Sequence, residues 1–471
     1  VSPARLTPIT IFKHIHFPVA RDIGLLVRSQ IMSATRRTVP AVPETPDPLD
    51  VLPATSGQPP AASAVSRRFI LQLARQLHRH GTPAHRLEVT LSVLAKRLGV
   101  QAEFFSTPTS IMVGIGELEE QRVHLMRVDP GEPNLGHLSQ LGEITRLVMD
   151  GEITPAEGLR RIDVMDAQPP AYPQWLTMAA FVLASATIAC FLKVRAGDVL
   201  VASLLGLVTA VTAITASRWE STRHVTEPFA AFIVTTLAFT LDKVLGTRTG
   251  YATSLAGLAI LLPGLTFTVA LTELSTRHLA SGTARLSGAI VTFLGLGFGL
   301  ALGAKTGAAA GVVLADLLPM MHGALSRAVL PGWAEWTALL VAPLAFTVLL
   351  SARPKDAPYI VVACAAAYVT SKLAGAAVGE ELGAFLGAFV VSAGSNVLAR
   401  TRRRVAMVTQ VPGLLILVPG SIGFRSMTSL LGQEVETGIQ TGFRVAIVGI
   451  SLAAGILAGN VVTRATNRVR G

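Results

Sequence analysis

The chain has 471 residues, of which 51% are apolar and 15% charged, with a mean hydropathy of +0.54. A water-soluble globule carries about 25% charged residues, so three soluble domains are excluded and the bilayer is the expected solvent. The net charge of +11 sits almost wholly after residue 173, in short segments between apolar runs. That is where membrane-helix loops place Lys and Arg. Without a basic stripe and interleaved aromatics, nucleic acid is not an expected partner.

Residues 1–65 read as an arm, with seven prolines between Pro40 and Pro60. A disordered cytosolic arm and an interfacial amphipathic helix both fit this stretch. The start at Val1 points to a few residues further upstream.

Residues 66–173 read as a cytoplasmic α/β domain and linker. Phe69, Leu73 and Leu77 recur at helical spacing until Gly81. Thr82 is expected to cap a second helix, with Pro83 in its first turn and Leu87, Leu91, Leu94 and Leu98 along its face. Three strands are predicted at Gln101–Ser106, Thr109–Ile115 and Arg122–Val128. Helices follow at Leu135–Met149 and Thr154–Asp166, the latter with Thr154 and Glu157 as a helix start. Pro169, Pro170 and Pro173 mark the linker.

From residue 174 onward, ten apolar spans of about twenty residues suit a core ~30 Å thick. They lie near 174–192, 197–216, 228–245, 251–272, 286–306, 334–350, 358–378, 382–399, 405–431 and 440–462. Five fall in 174–310 and five in 334–471, with a connecting loop at 311–333. Placing residue 173 in the cytoplasm puts most loop Lys and Arg inside, including Arg218, Arg277, Arg285, Arg353, Arg400 and Arg402–Arg404. Both termini are then cytoplasmic. The Arg402–Arg404 run reads as a topology anchor on anionic lipid.

Two segments align without a gap at an offset of 156 residues. Leu261-Leu262-Pro263-Gly264 matches Leu417-Val418-Pro419-Gly420, and Gly299 and Gly303 match Gly455 and Gly459. Five spans per unit is an odd number, so the second unit enters from the opposite side. The expected fold is an α-helical integral membrane protein of two inverted five-helix repeats, an arrangement secondary transporters use for alternating access. Pro removes a helix hydrogen bond and Gly loosens the backbone. In lipid such breaks must face protein or a polar cavity. Pro263-Gly264 and Pro419-Gly420 are therefore read as paired helix breaks beside a binding site, against a tolerated kink.

Polar residues surround these breaks. Thr266, Thr268 and Ser421 offer hydroxyls to a substrate, or satisfy the opened backbone. Arg425 offers two parallel hydrogen bonds to a carboxylate, or pairs with an acidic residue of another span. Asn396 is polar in an apolar span, with binding and interhelical packing both open. Glu273 suits a coupled proton if buried; a structural pair with Arg277, four residues on, is the other reading. No phosphate loop, nucleophile elbow or metal-ligand spacing is present, so no enzyme, cofactor or metal site is expected. Cys190 and Cys364 read as small apolar residues without a disulfide.

These residues resemble the threonine/serine exporter family. The resemblance rests on LLPGLTFTVALTELSTRHLASGTARL (261–286), LLILVPGSIGFRSM (414–427) and GSNVLAR (394–400). HGTPAHRLEVTL (80–91) and STPTSIMVGIG (106–116) resemble the family's N-terminal region. It covers roughly residues 66–465 and implies a cytoplasmic domain followed by ten spans. It further implies export of threonine and serine across the cell (inner) membrane, driven by proton antiport, with substrate, proton and bilayer as partners and a homo-oligomer left open. Some relatives carry the halves as separate chains and resemble succinate-type dicarboxylate exporters, which keeps that substrate class as an alternative. A membrane-tethered sensor or regulatory protein is the alternative outside the transporter class.

Overall fold

The computed structural model describes residues 60–468, apart from 118, 130, 132, 217–224, 326–327, 419–425, 427–428 and 430–434. The arm before residue 60 lies outside the described residues, as do Pro419, Gly420, Ser421 and Arg425.

The N-terminal part is a small module. Helix α1 (Pro60–Arg79) ends at Gly81, whose φ of +88° suits glycine, and α2 (Ala84–Arg97) ends at Gly99 with φ +66°. Strands β1 (Ala102–Thr107), β2 (Ser110–Ile115) and β3 (Arg122–Arg127) form one antiparallel meander, with Phe105 opposite Met112 and Met112 opposite Leu125. Helices α3 (Leu135–Met149) and α4 (Pro155–Asp166) follow. The Thr154 hydroxyl accepts from the N–H of Glu157 at 3.2 Å, as the helix-start pattern predicts. The predicted apolar stripes are buried: Phe69, Leu73, Leu87, Leu91 and Leu94 are all fully inaccessible. Their cluster does not stop at the module. It continues through Leu350, at the end of one apolar helix, and through Cys364, Met407 and Val411 within others.

Those helices are α5 (Gln174–Phe191), α6 (Ala196–Ala216), α7 (Thr226–Leu245), α8 (Gly250–Leu258), α9 (Gly264–Ser275) and α10 (Leu279–Leu317). After a short 3-10 turn come α11 (Trp333–Leu349), α12 (Ala357–Val378), α13 (Glu380–Thr401), α14 (Met407–Leu417) and α15 (Val435–Arg468). Among the described residues, seven are long and apolar enough to cross a membrane, or eight if the bent pair α8–α9 is one span. Helices α11 and α14 are apolar but shorter. The chain is a multi-pass helical membrane protein. Helix α10 runs to Leu317, well past the predicted end of its span at 306, and there Gly307 and Gly311 keep it packed against Thr236, Phe239, Thr240 and Lys243 of α7.

The helices pack in two matching sets. Helices α5, α6, α7, α8 and α10 meet as neighbours α5–α6, α6–α7, α6–α8, α7–α8 and α7–α10. Helices α11–α15 repeat that pattern as α11–α12, α12–α13, α12–α14, α13–α14 and α13–α15. The match reaches single atoms. A methyl group on Gly299 would collide with the carbonyl of Pro228 and meet Cβ of Ala231 and N of Phe232. One on Gly455 would collide with the carbonyl of Phe385 and meet Cβ of Ala388 and N of Phe389. Gly303 and Gly459 meet the next turn of the same partners, Phe232 and Phe389. Glycine at these positions lets two backbones touch, the usual device for helices that associate in lipid.

The module docks on one end of the helices. Leu135 and Gly136 donate their N–H groups to the carbonyls of Leu350 and Ser351, at 2.9 and 3.0 Å. The Tyr172 hydroxyl donates to the Ala352 carbonyl at 2.7 Å, and Arg353 lies 3.6 Å from Glu143. At the opposite helix ends, Ala196 donates to the Ala328 carbonyl and Gly323 to that of Leu245. There Glu335 faces Lys372 and the Tyr368 hydroxyl. Arg404 departs from the lipid-anchor expectation: it pairs with the buried carboxylate of Asp356 and stacks over Tyr359, 4.4 Å from the ring centre.

Candidate functional site

The chain bends at the first Pro-Gly pair. Helix α8 ends in a 3-10 turn at Ala259–Leu261, Leu262 is extended (φ −66°, ψ 128°), and α9 starts at Gly264 after a 55° bend. The residue before proline avoids the helical region because the ring's Cδ crowds its N–H and Cβ. Before the second Pro-Gly pair α14 ends at Leu417, and Val418 is extended in the same way (φ −63°, ψ 134°). The residues beyond it, Pro419, Gly420, Ser421 and Arg425, are outside the described residues, so the partners predicted for them are not placed. Helix α9 touches α14, and Leu265, Leu415 and Ile416 pack on the same apolar cluster. Helix α9, which follows the first Pro-Gly pair, and α14, which precedes the second, are thus neighbours.

Along α9 the hydroxyls satisfy their own helix. Thr268 donates to the Gly264 carbonyl at 3.1 Å and Thr272 to that of Thr268 at 2.9 Å. Thr266 is exposed. Thr268 therefore occupies the backbone-satisfying role that its sequence left open.

Glu273 is fully buried at the end of α9. One carboxylate oxygen accepts from the Ala84 N–H at 2.9 Å; the other accepts from the Ser281 hydroxyl at 2.7 Å and lies 3.1 Å from Nε of Arg285. The reading that pairs it with Arg277 is corrected. Helix α9 stops at Ser275, and Arg277 takes a left-handed φ of +64°, so the four-residue spacing no longer holds the two on one helical face. The predicted Thr82 cap is corrected too. Pro83 is the cap position of α2 and makes no side-chain bond, while the hydroxyl oxygen of Thr82 is buried without a partner. The first N–H of α2 is satisfied by a carboxylate 189 residues away. A carboxylate there also meets the positive end of the helix dipole.

Around this contact lies a polar seam. Glu88 accepts from the N–H and hydroxyl of Ser106 at 2.8 and 3.0 Å and stands 3.3 Å from Nε2 of His278. On the module side, His80 and His137 join ring nitrogens at 3.1 Å. Burial holds both below the usual histidine range, His80 down to about 4.

Further along the seam is a cavity of about 520 Å³ between α2 and α3 of the module and α13–α15. Asn396 lines it, donating to Oδ1 of Asn460 at 2.8 Å and to the Thr463 hydroxyl at 3.1 Å. Ser392 also donates to Asn460, at 3.1 Å, and receives Nε2 of Gln410 at 3.3 Å. Gln410 in turn accepts from Arg86. An unbroken polar chain thus runs from the module into the apolar helices. Sequence reasoning singled out Asn396 and Glu273 of this seam but not Arg86, Gln410, Asn460, Ser281 and Arg285. Gln410 and Asn460 carried a signal, being amides inside apolar runs.

The described chain is thus a multi-pass helical membrane protein with one bent helix pair and a polar seam against its module. The chain matches two family models, "Putative threonine/serine exporter" over residues 68–307 and "Threonine/Serine exporter, ThrE" over 335–462. It belongs to the threonine/serine exporter family. It is also similar to proteins named "Pheromone-regulated membrane protein 10". That of Eremothecium gossypii is 26% identical over 81% of this chain and 51% of its own length. That of Saccharomyces cerevisiae is 28% identical over 77% of this chain and 47% of its own. The chain spans about half the length of these relatives. No solved structure matches it.

Proposed function

We propose that this protein is a secondary active transporter that exports threonine and serine from the cytoplasm by proton antiport. The observation that carries the reading is the bent pair α8–α9, together with the extended conformation that Leu262 and Val418 share at equivalent positions before the two Pro-Gly pairs. An interrupted helix in each half of a membrane protein opens backbone polar groups where a small solute binds. The shared neighbour pattern of α5–α10 and α11–α15, and the paired glycine contacts, support two five-helix repeats of opposite orientation. Counting α8–α9 as one span and completing α11 and α14 through the bilayer gives ten spans. Module and both termini then face the cytoplasm, in the cell (inner) membrane.

In this account, binding on the module side favours one packing of the two repeats and the gradient favours the other. Glu273 carries the proton. Its charge holds Arg285, Ser281 and the first N–H of α2, so neutralising it loosens the module from α9 and α10. Ser421 and Arg425, which follow Pro419-Gly420 in the sequence, and Asn396 are the further residues assigned to the substrate in this reading.

Counterflow in proteoliposomes tests the substrate claim. Vesicles preloaded with unlabelled threonine are expected to accumulate labelled threonine and serine transiently. Accumulation of succinate alone replaces this reading with a dicarboxylate exporter, and no accumulation of any of the three rejects the carrier reading.

A further inference from the structure

At the helix ends opposite the module, residues from both sets of helices converge on one carboxylate. Glu335 sits in the first turn of α11, with its side chain 15% exposed. One oxygen accepts from the Tyr368 hydroxyl and from the Lys372 ammonium, which stand one turn apart on α12. The other lies 3.9 Å from Nζ of Lys193, in the turn that closes α5. Phe191, the last residue of α5, packs against Tyr368 with ring centres 5.2 Å apart. The Lys372 ammonium also lies 5.4 Å from the ring centre of Trp336 and 5.5 Å from that of Tyr368, within reach of both π faces.

The cluster has a fixed part and a loose part. Glu335, Trp336, Tyr368 and Lys372 all belong to the neighbouring helices α11 and α12, and a carboxylate in the first turn of α11 meets the positive end of the helix dipole. Lys193 and Phe191 reach it from α5, in the other set. Lys193 is 74% exposed and its pair with Glu335 is long, and such pairs hold weakly. Further along the α5–α11 contact, Ala180, Ala184 and Ala345 pack together, small side chains over which two helices can shift. At the other end of the helices the module forms the tie: α2 meets Glu273 at the end of α9, and α3 meets Leu350 and Ser351 after α11. Each end therefore has its own link between the halves.

We propose that this cluster is the outer gate of the carrier. It opens when Lys193 and Phe191 part from Glu335 and Tyr368, while Lys372 and Trp336 keep the latch on α11 and α12 in place for reclosure. A weak tie between the halves suits a contact that breaks and re-forms in every cycle, because a strong one would trap a single packing. Glu335 is a positioning residue here and does not touch substrate. The proposal rests on the carrier reading above and deepens it by naming the contact that parts for release on the far side.

The test uses the full chain with Cys190→Ala and Cys364→Ala, carrying either Ala338→Cys or Thr347→Cys. Both positions are buried on α11, Ala338 one turn in from Glu335 and Thr347 near the module end. Labelling by a membrane-impermeant methanethiosulfonate, added on the face opposite the module, is followed beside threonine counterflow on the same preparation. Glu335→Gln is expected to speed labelling at Ala338→Cys several-fold and to leave Thr347→Cys unchanged. Lys193→Ala is expected to speed it about two- to fivefold, as much as an exposed ion pair shifts an equilibrium, and Lys193→Arg to keep the parent rate. Counterflow that persists while Glu335→Gln leaves Ala338→Cys labelling unchanged, or speeds both thiols equally as a loosened fold would, overturns the gate and leaves the carrier standing. Faster labelling confined to Ala338→Cys, with no counterflow of threonine, serine or succinate, upholds the latch and overturns the carrier reading.

Discussion

The carboxylate of Glu273, buried at the end of α9, accepts the backbone N–H of Ala84 at 2.9 Å, the first residue of a helix in a different part of the protein. One side chain thus caps α2, binds Ser281 and neutralises Arg285. Charge and docking are coupled there, and Glu273→Gln and Glu273→Ala separate them. The amide keeps an oxygen for Ala84 and loses the charge. Glu273→Gln is expected to abolish gradient-driven flux and spare threonine exchange. Glu273→Ala leaves the partly buried Arg285 guanidinium and a helix N–H without this partner, a loss of roughly 3 kcal/mol. Faster hydrogen exchange at Ala84 and along α2 is the readout. Unchanged gradient-driven flux in Glu273→Gln refutes the coupling role.

The docking of α3 depends on the smallness of Gly136. Its N–H bonds Ser351, and a methyl group there would sit 2.5 Å from the Ser351 carbonyl oxygen. Gly136→Ala is expected to push α3 from the 350–352 turn at a cost of ~1–3 kcal/mol. Gly151→Ala, at a left-handed glycine with open space around it, strains its own turn and leaves the docking intact. Exchange at residues 135 and 136 distinguishes the two.

The matched helix pairs predict matched sensitivity. Gly299→Val and Gly455→Val each drive a side chain into the backbone of the facing helix, Pro228 in one case and Phe385 in the other. Both are expected to lower the melting temperature by several degrees. Gly288→Val, on the same α10 but facing open space, is expected to leave it within a degree. If only one of the first two matters, the two halves are not packed alike.

Acid should loosen the module. His80 is held down to about 4 chiefly by burial, with the neighbouring His137 adding to it, while an unfolded histidine titrates near 6.5. The unfolded chain therefore binds more protons between these values. The stabilisation is complete above about pH 6.5 and is lost as pH falls toward 4. Exchange across α1 and α3 is expected to quicken through that window and His80→Gln to flatten the change. A pH-independent rate contradicts the buried neutral pair.

Much of this was legible in advance. Leu87, Leu91 and Leu94 announced a buried helix face by spacing alone, and Pro263 announced the bend because proline constrains Leu262 whatever surrounds it. The partners of Glu273 were not legible. Ala84 is 189 residues away and contributes a backbone group, which no side-chain pattern records. The Arg277 alternative failed on one backbone angle, and the Thr82 cap failed because a distant carboxylate took its place. Arg404 read as one of three cations anchoring the chain on anionic lipid until the fold brought Asp356 and Tyr359 to it. Local grammar reaches the elements, and the seam between them is set by tertiary contact.

Flux under an imposed gradient tests the central claim most directly. In proteoliposomes with the module facing outward, an acidic lumen is expected to drive labelled threonine inward beyond its equilibrium level. A protonophore, or equal pH on both sides, is expected to remove that excess. Threonine entering at the same rate and to the same level with and without the gradient would contradict proton antiport by this chain.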